Sequence, residues 1–143
     1  MTRPKGPYTM LPPVLAVKLE STMDIMIARN TARRAASLLG FAPSRQAQLA
    51  SVAATLAELV LKTGQKHTMN FNGVTNNDKT GVQLSMVTPW LNGVSVNNVM
   101  IALRSKLGDL IDEILLEGDD TPTIITVMWR GDEDTVHDKP AGS

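Results

Sequence analysis

The chain has 143 residues, and 43% of them are hydrophobic, a length and composition that suit one compact domain with its own core. Its 14 Lys and Arg residues balance its 14 Asp and Glu residues. Because a nucleic-acid-binding protein needs a basic excess to neutralise phosphates, this balance predicts that nucleic acid is not a partner. The chain has no cysteine, which excludes disulfides and thiolate metal ligands.

No run of about 18 apolar residues occurs, so the sequence predicts no membrane span. The first residues, from Met1 to Pro7, lead into no long apolar stretch and do not resemble a secretory signal. We therefore expect a cytoplasmic protein, in keeping with the absence of cysteine.

The N-terminal half predicts a strand followed by two helices. Residues 1–12 are rich in proline and lack periodicity, which favours a flexible arm. A strand is predicted at 14–20. Apolar residues at helical spacing predict a first helix over 22–39, and Pro43 can begin a second helix that Gly64 ends.

The C-terminal half predicts a hairpin, a helix and a last strand. Apolar and polar residues alternate over 66–72 and again over 82–86, with a polar loop at 73–81 between them. Apolar residues at helical spacing predict a third helix over 96–116. A final strand is predicted at 124–129. This order indicates a two-layer α+β sandwich.

Its predicted domain spans 13–130, between the arm 1–12 and a flexible tail at 131–143.

Five stretches of the sequence, taken in chain order, resemble successive elements of one known protein family. Residues 24–29 and 32–41 are similar to the first helix and its exit, 48–59 to the second helix, and 107–114 and 121–129 to the closing helix and strand. The family is that of the partner-switching anti-sigma serine kinases of bacteria, within the GHKL superfamily of histidine kinases, gyrase and MutL. This resemblance implies a mixed sheet covered by about three helices and a nucleotide pocket between the two layers.

Two residues of the second predicted helix bear on catalysis. The family places a Glu near the attacking hydroxyl or water and an Asn one turn later to hold Mg²⁺. Glu58 matches the Glu, whereas Lys62 stands at the Asn position. An ammonium group only donates hydrogen bonds and cannot ligate Mg²⁺. Glu58 could be a surviving general base or simply a residue on the polar edge of its helix.

The positions that would hold the nucleotide also differ from the family pattern. Met86 stands where the family has the Asp that binds adenine, and Thr88 and Trp90 stand at its two glycine positions. The region of the glycine-rich lid, here 96–103, contains no glycine. We therefore expect ATP binding to be weak or absent, with no cofactor and no metal.

Three arginines are the candidate partner-binding residues. Arg29, Arg33 and Arg34 fall on the flank and outer side of the first predicted helix. They could dock an acidic partner, or they could form an ordinary solvated face. Asp109, Asp112 and Glu113 fall together on the outer side of the third predicted helix; they could form a carboxylate cluster for a metal ion, but solvation is the simpler expectation.

The resemblance implies a bacterial signalling regulator, of the kind that acts in stress responses, that works by protein–protein interaction as a pseudokinase. Its partner would be a STAS-type antagonist, a sigma factor, a serine phosphatase or a related kinase, and a homodimer is possible. One alternative is an active, divergent serine kinase that uses ATP and Mg²⁺ to phosphorylate a STAS-type antagonist. Another is a scaffold subunit in a larger regulatory assembly.

Overall fold

Five strands and three helices form two layers in the part of the chain that the computed structural model describes, which is residues 6–88, 95–118 and 122–131. The elements, in chain order, are β1 (Thr9–Leu19), α1 (Met23–Leu38), α2 (Pro43–Leu61), β2 (His67–Asn76), β3 (Lys79–Val87), α3 (Val96–Leu107), β4 (Glu113–Glu117) and β5 (Thr123–Trp129). The predicted α+β class and the three helices are confirmed.

The sheet has the order β1-β2-β3-β5-β4, and every neighbouring pair is antiparallel. The expectation of a mixed sheet was therefore wrong. The connection from β1 to β2 contains two antiparallel helices, so β2 runs opposite to β1. The connection from β3 to β4 contains only α3, so β3 and β4 run in the same direction. They are not neighbours, however, because β5 lies between them and pairs antiparallel with both.

The predicted third helix was too long, and β4 was missed. Helix α3 ends at Leu107, and the amide of Leu110 donates to the Leu107 carbonyl in the turn that follows. Ile114 and Leu116 then face Thr126 and Ile124 of β5 across the sheet. Over so short a stretch, the apolar spacing fits a strand as well as a helix, and only the pairing with β5 decides between them.

The sheet also extends further than predicted at two places. Strand β1 begins at Thr9, inside the predicted arm 1–12, and its register shifts between Leu11 and Val14, where two prolines offer no amide donors. The predicted loop 73–81 is almost entirely strand. Its turn is tight because Asn77 adopts a φ of 57°, which Asn tolerates better than most residues.

The core lies between the helices and one side of the sheet, called here the front face. The two long helices contact each other and the sheet through small side chains, which allows their axes to approach closely. The fully buried alanines at this contact are Ala28, Ala32, Ala35 and Ala36 of α1 and Ala53 and Ala57 of α2.

A second, smaller apolar cluster lies on the opposite side of the sheet, called the back face. It consists of Val74, Ile125 and Val127, with Tyr8 packed against them. Residues 6–8, which precede β1, therefore lie on this face and are called the strap. The predicted arm thus makes defined contacts with the domain at its C-terminal end.

Candidate functional site

The positions that the family resemblance assigns to a nucleotide site lie in two different environments, one exposed and one buried. Glu58 and Lys62, at the C-terminal end of α2, are both exposed. Met86 of β3 is fully buried and belongs to the core cluster. Its thioether side chain thus occupies the space between the layers. Trp90 lies outside the described residues.

Thr88, at a glycine position of the family motif, is fully buried just after β3. Its amide and its hydroxyl both donate to the carbonyl oxygen of Pro122, at 2.7 and 2.8 Å. Both donors are therefore used inside the protein, and they tie the end of β3 to the start of β5. This arrangement supports the fold and offers no donor to a phosphate.

The three candidate arginines lie together on α1. Arg29, Arg33 and Arg34 are all exposed, and no carboxylate among the described residues forms an ion pair with any of them. Asp24, the one acidic residue of α1, accepts hydrogen bonds through its Oδ2 from the amides of Glu20 and Ser21, at 2.8 and 3.0 Å. The helix therefore presents uncompensated positive charge to solvent.

Sequence reasoning missed the apolar half of this surface. Met23, Met26 and Ile27 are 79%, 63% and 51% exposed. They border a groove of about 680 Å³ whose lining residues are Thr22, Met23, Ile25, Met26, Ile27 and Arg29. The signal was present, because 23–27 is apolar on every side except at Asp24, whereas only one side of the helix faces the core.

We call the exposed side of α1, made of Met23, Met26, Ile27, Arg29, Arg33 and Arg34, the docking face. It has an apolar N-terminal half and a basic C-terminal half. Its helix is held at both ends. At the start, Asp24 accepts hydrogen bonds from the amides of Glu20 and Ser21, and at the exit Arg130 Nη1 donates to the Leu39 carbonyl at 3.1 Å. A fixed helix loses little conformational freedom when a partner binds.

A polar cluster lies where β4 and β5 meet the start of α2. Asp112 Oδ2 accepts a hydrogen bond from the amide of Trp129 at 2.7 Å and forms an ion pair with Arg45 Nη2 at 3.6 Å. The same Arg45 nitrogen donates to the Trp129 carbonyl at 2.8 Å. Glu113 accepts from the Trp129 indole at 2.6 Å and from the Tyr8 hydroxyl at 2.5 Å. The expectation that Asp109, Asp112 and Glu113 lie on a helix was therefore wrong, because α3 ends at Leu107, whereas Asp109 and Asp112 are exposed, as expected.

Glu113 also changes the acidity of Tyr8. The hydrogen bond to Glu113 raises the pKa of the Tyr8 hydroxyl above its usual value, and burial and the carboxylate charge act in the same direction. The cluster borders a cleft of about 490 Å³ that Lys79 and Arg130 also line. Its hydrogen bonds join strands and helix, so we interpret it as a structural junction.

Within the described ranges, no three His, Asp or Glu side chains are arranged to hold a metal ion. His67 is buried on β2, with its Nδ1 3.1 Å from the Gln65 carbonyl.

Comparison with known proteins assigns no family. No protein-family model matches the chain, and no curated protein is significantly similar to it in sequence. Within 6–88, 95–118 and 122–131, no helix is long and apolar enough to cross a membrane. The likeness to the anti-sigma kinases is thus a hypothesis based on a few stretches and their order, and the function has to be argued from the surfaces themselves.

Proposed function

We propose that this protein is a regulatory domain that binds another protein through the docking face of α1. One observation carries the proposal: three large apolar side chains stand exposed beside three unpaired arginines on one rigid helix. A contiguous apolar patch with a charged border is typical of an interaction site.

The apolar half supplies the anchors. Full burial of Met23, Met26 or Ile27 is worth about 1.5–3 kcal/mol each, and roughly half to four fifths of each residue is still available to a partner. Together they contribute about 3–6 kcal/mol. Because micromolar affinity needs about 8 kcal/mol after the cost of association, the arginines and the rest of the interface have to contribute as well.

The basic half defines the partner as acidic. Carboxylates that meet Arg29, Arg33 and Arg34 would speed association and fix the orientation, and salt would weaken the effect. Parallel pairing with a second copy of α1 would place arginines on arginines, which disfavours that form of homodimer.

In this proposal the domain binds its partner without phosphorylating it. Three features of the described residues support this view: the core position of Met86, the internal hydrogen bonds of Thr88 and the exposed Lys62 in place of a Mg²⁺ ligand. By resemblance, the candidate partners are a STAS-type antagonist, a sigma factor, a serine phosphatase and a related kinase of the same bacterium.

The test measures binding of these purified candidates by calorimetry. The double variant Arg33→Glu, Arg34→Glu should weaken binding of the true partner by about tenfold or more, because charges at an interface couple by at least about 1.5 kcal/mol. Arg104→Glu is the matched control, since Arg104 is also an exposed arginine but lies on α3. A partner that binds the wild type, the double variant and Arg104→Glu with equal affinity would show that the docking face is not its binding site.

A titration with ATP and Mg²⁺ tests the other half of the proposal. We expect no Mg²⁺-dependent heat. Micromolar binding that requires Mg²⁺ would instead favour the active serine kinase, and phosphate transfer to a STAS-type protein would establish it.

A further inference from the structure

The basic half of the docking face lies close to the point where the chain leaves the sheet. Arg130 directly follows β5, and its Nη1 donates to the Leu39 carbonyl at the exit of α1, at 3.1 Å. Arg33 and Arg34 precede Leu39 by six and five residues, which corresponds to about 7–9 Å along the helix axis. The residues after Gly131 therefore begin beside these arginines.

The segment that begins there is strongly acidic. Residues 132–138 read Asp-Glu-Asp-Thr-Val-His-Asp, with four carboxylates and no Lys or Arg. They lie outside the described residues. An extended chain covers about 3.3 Å per residue, so the eight residues from 131 to 138 can span about 26 Å. This length exceeds the distance along α1 from its exit to the arginines.

We infer that residues 132–138, called here the acidic segment, bind to the basic half of the docking face and compete there with the partner. This inference rests on the proposed function, since it concerns the regulation of the same surface. Arg29, Arg33 and Arg34 are exposed, and no carboxylate of a described residue forms an ion pair with them. The acidic segment supplies the opposite charge, as we propose for the partner.

The competition is moderate in strength. Exposed ion pairs are individually weak, but a segment of the same chain acts at an effective concentration in the millimolar range. We therefore expect the acidic segment to lower the affinity for an acidic partner by about threefold to tenfold. A partner that also buries the apolar half of the docking face can displace the segment, because the segment offers only one apolar residue, Val136.

A second group of cations also lies near the exit of β5, but it suits the acidic segment less well. Arg45 and Lys79 line the cleft of the polar cluster. That cleft also contains Asp112 and Glu113, and Asp112 forms an ion pair with Arg45. Their carboxylates would repel an acidic chain. On α1, by contrast, the one acidic residue is Asp24, at the opposite end from the segment.

The experiment uses the full-length chain with Thr135→Cys, which gives one labelling site because the sequence has no other cysteine. A nitroxide on this cysteine broadens the NMR signals of amides near it. The readout is the broadening at 29–34, measured against the same sample after the nitroxide is reduced. A matched variant replaces the four carboxylates of the acidic segment with amides, as Asp132→Asn, Glu133→Gln, Asp134→Asn and Asp138→Asn.

We expect broadening at 29–34 in the chain that keeps its carboxylates and clearly less in the amide variant. It should also weaken in 1 M NaCl, where the screening length falls to about 3 Å. The amide of Arg104 on α3 is the reference and should respond equally in both proteins. Comparison of the two labelled chains removes the broadening that follows merely from the position of residue 131 near α1.

Equal broadening at 29–34 in both labelled chains would overturn the inference. Broadening that is strongest at Arg45 and Lys79 would do the same, because the acidic segment would then occupy the cleft. These measurements contain no partner, so they separate this inference from the proposed function. A partner that is insensitive to Arg33→Glu, Arg34→Glu refutes the docking face as its site and leaves the NMR result standing. For a partner that is sensitive to them, the amide variant should bind about threefold or more tightly than the wild type. Unchanged affinity would refute the competition.

Discussion

Removal of the Glu113 carboxylate should destabilise the protein measurably, although the residue lies on an edge strand. The carboxylate accepts two hydrogen bonds, from the Tyr8 hydroxyl and the Trp129 indole. A hydrogen bond to a charged group contributes about 1.5–3 kcal/mol, and water can replace part of it at this half-exposed site. We therefore expect Glu113→Ala to lower the free energy of unfolding by about 2–3 kcal/mol and Glu113→Gln, which keeps two neutral bonds, by about 1 kcal/mol.

Urea unfolding followed by tryptophan fluorescence measures the change, with the slope of the transition as a check that the unfolded state is the same. The matched control is Glu117→Ala. Glu117 lies on the same strand and the same face with similar exposure, and it makes no hydrogen bond or ion pair with a described residue. Its loss should cost no more than about 0.5 kcal/mol. Equal losses for the two alanine variants would refute the assignment of Glu113 as the centre of the junction.

Three further predictions concern Tyr8, Gly81 and Ala32. The folded state raises the pKa of Tyr8 above the usual tyrosine value of 10.0, so its contribution to the free energy of unfolding is complete below that pH and is lost as the pH rises through the folded pKa. The urea midpoint should therefore fall more steeply in alkali for the wild type than for Tyr8→Phe. In Gly81→Ala the new Cβ would lie 2.7 Å from the Trp129 ring and 2.8 Å from the Met128 carbonyl oxygen. The melting temperature should therefore drop by an amount that corresponds to about 1–3 kcal/mol. An unchanged melting temperature would contradict the close packing. Ala32→Leu should cost a similar amount in urea unfolding, because Ala32 is fully buried between the layers, whereas Ser37→Leu on the exposed side of α1 should cost little.

The local sequence pattern predicted an element correctly where the spacing of its own apolar residues determines which side of it is buried. The stripe that predicts α1 is the buried side of that helix, with Ala28, Ala32 and Ala35 fully buried. The alternation that predicts β2 likewise places Met69 and Phe71 in the core. In both cases the residue spacing alone determines which side chains face the same way.

The parts that were not predicted depend on contacts between residues distant in sequence. Strand β4 exists because of its pairing with β5, and the same local sequence fits the end of a helix. The Glu113 junction brings residue 8 against residue 113, a relation that no local pattern encodes. The apolar half of the docking face could have been found, because Met23, Met26 and Ile27 follow helical spacing on the side opposite the alanines.

The strand order has a consequence for synthesis of the protein. Strand β5 is made last among the five, yet it lies between β3 and β4, so neither of those strands has its neighbour until β5 leaves the ribosome. The nascent chain thus carries an open edge on β3 and an unpaired β4, both of which invite pairing with other chains. A chain that ends before Thr123 should therefore aggregate more readily than the chain that contains β5.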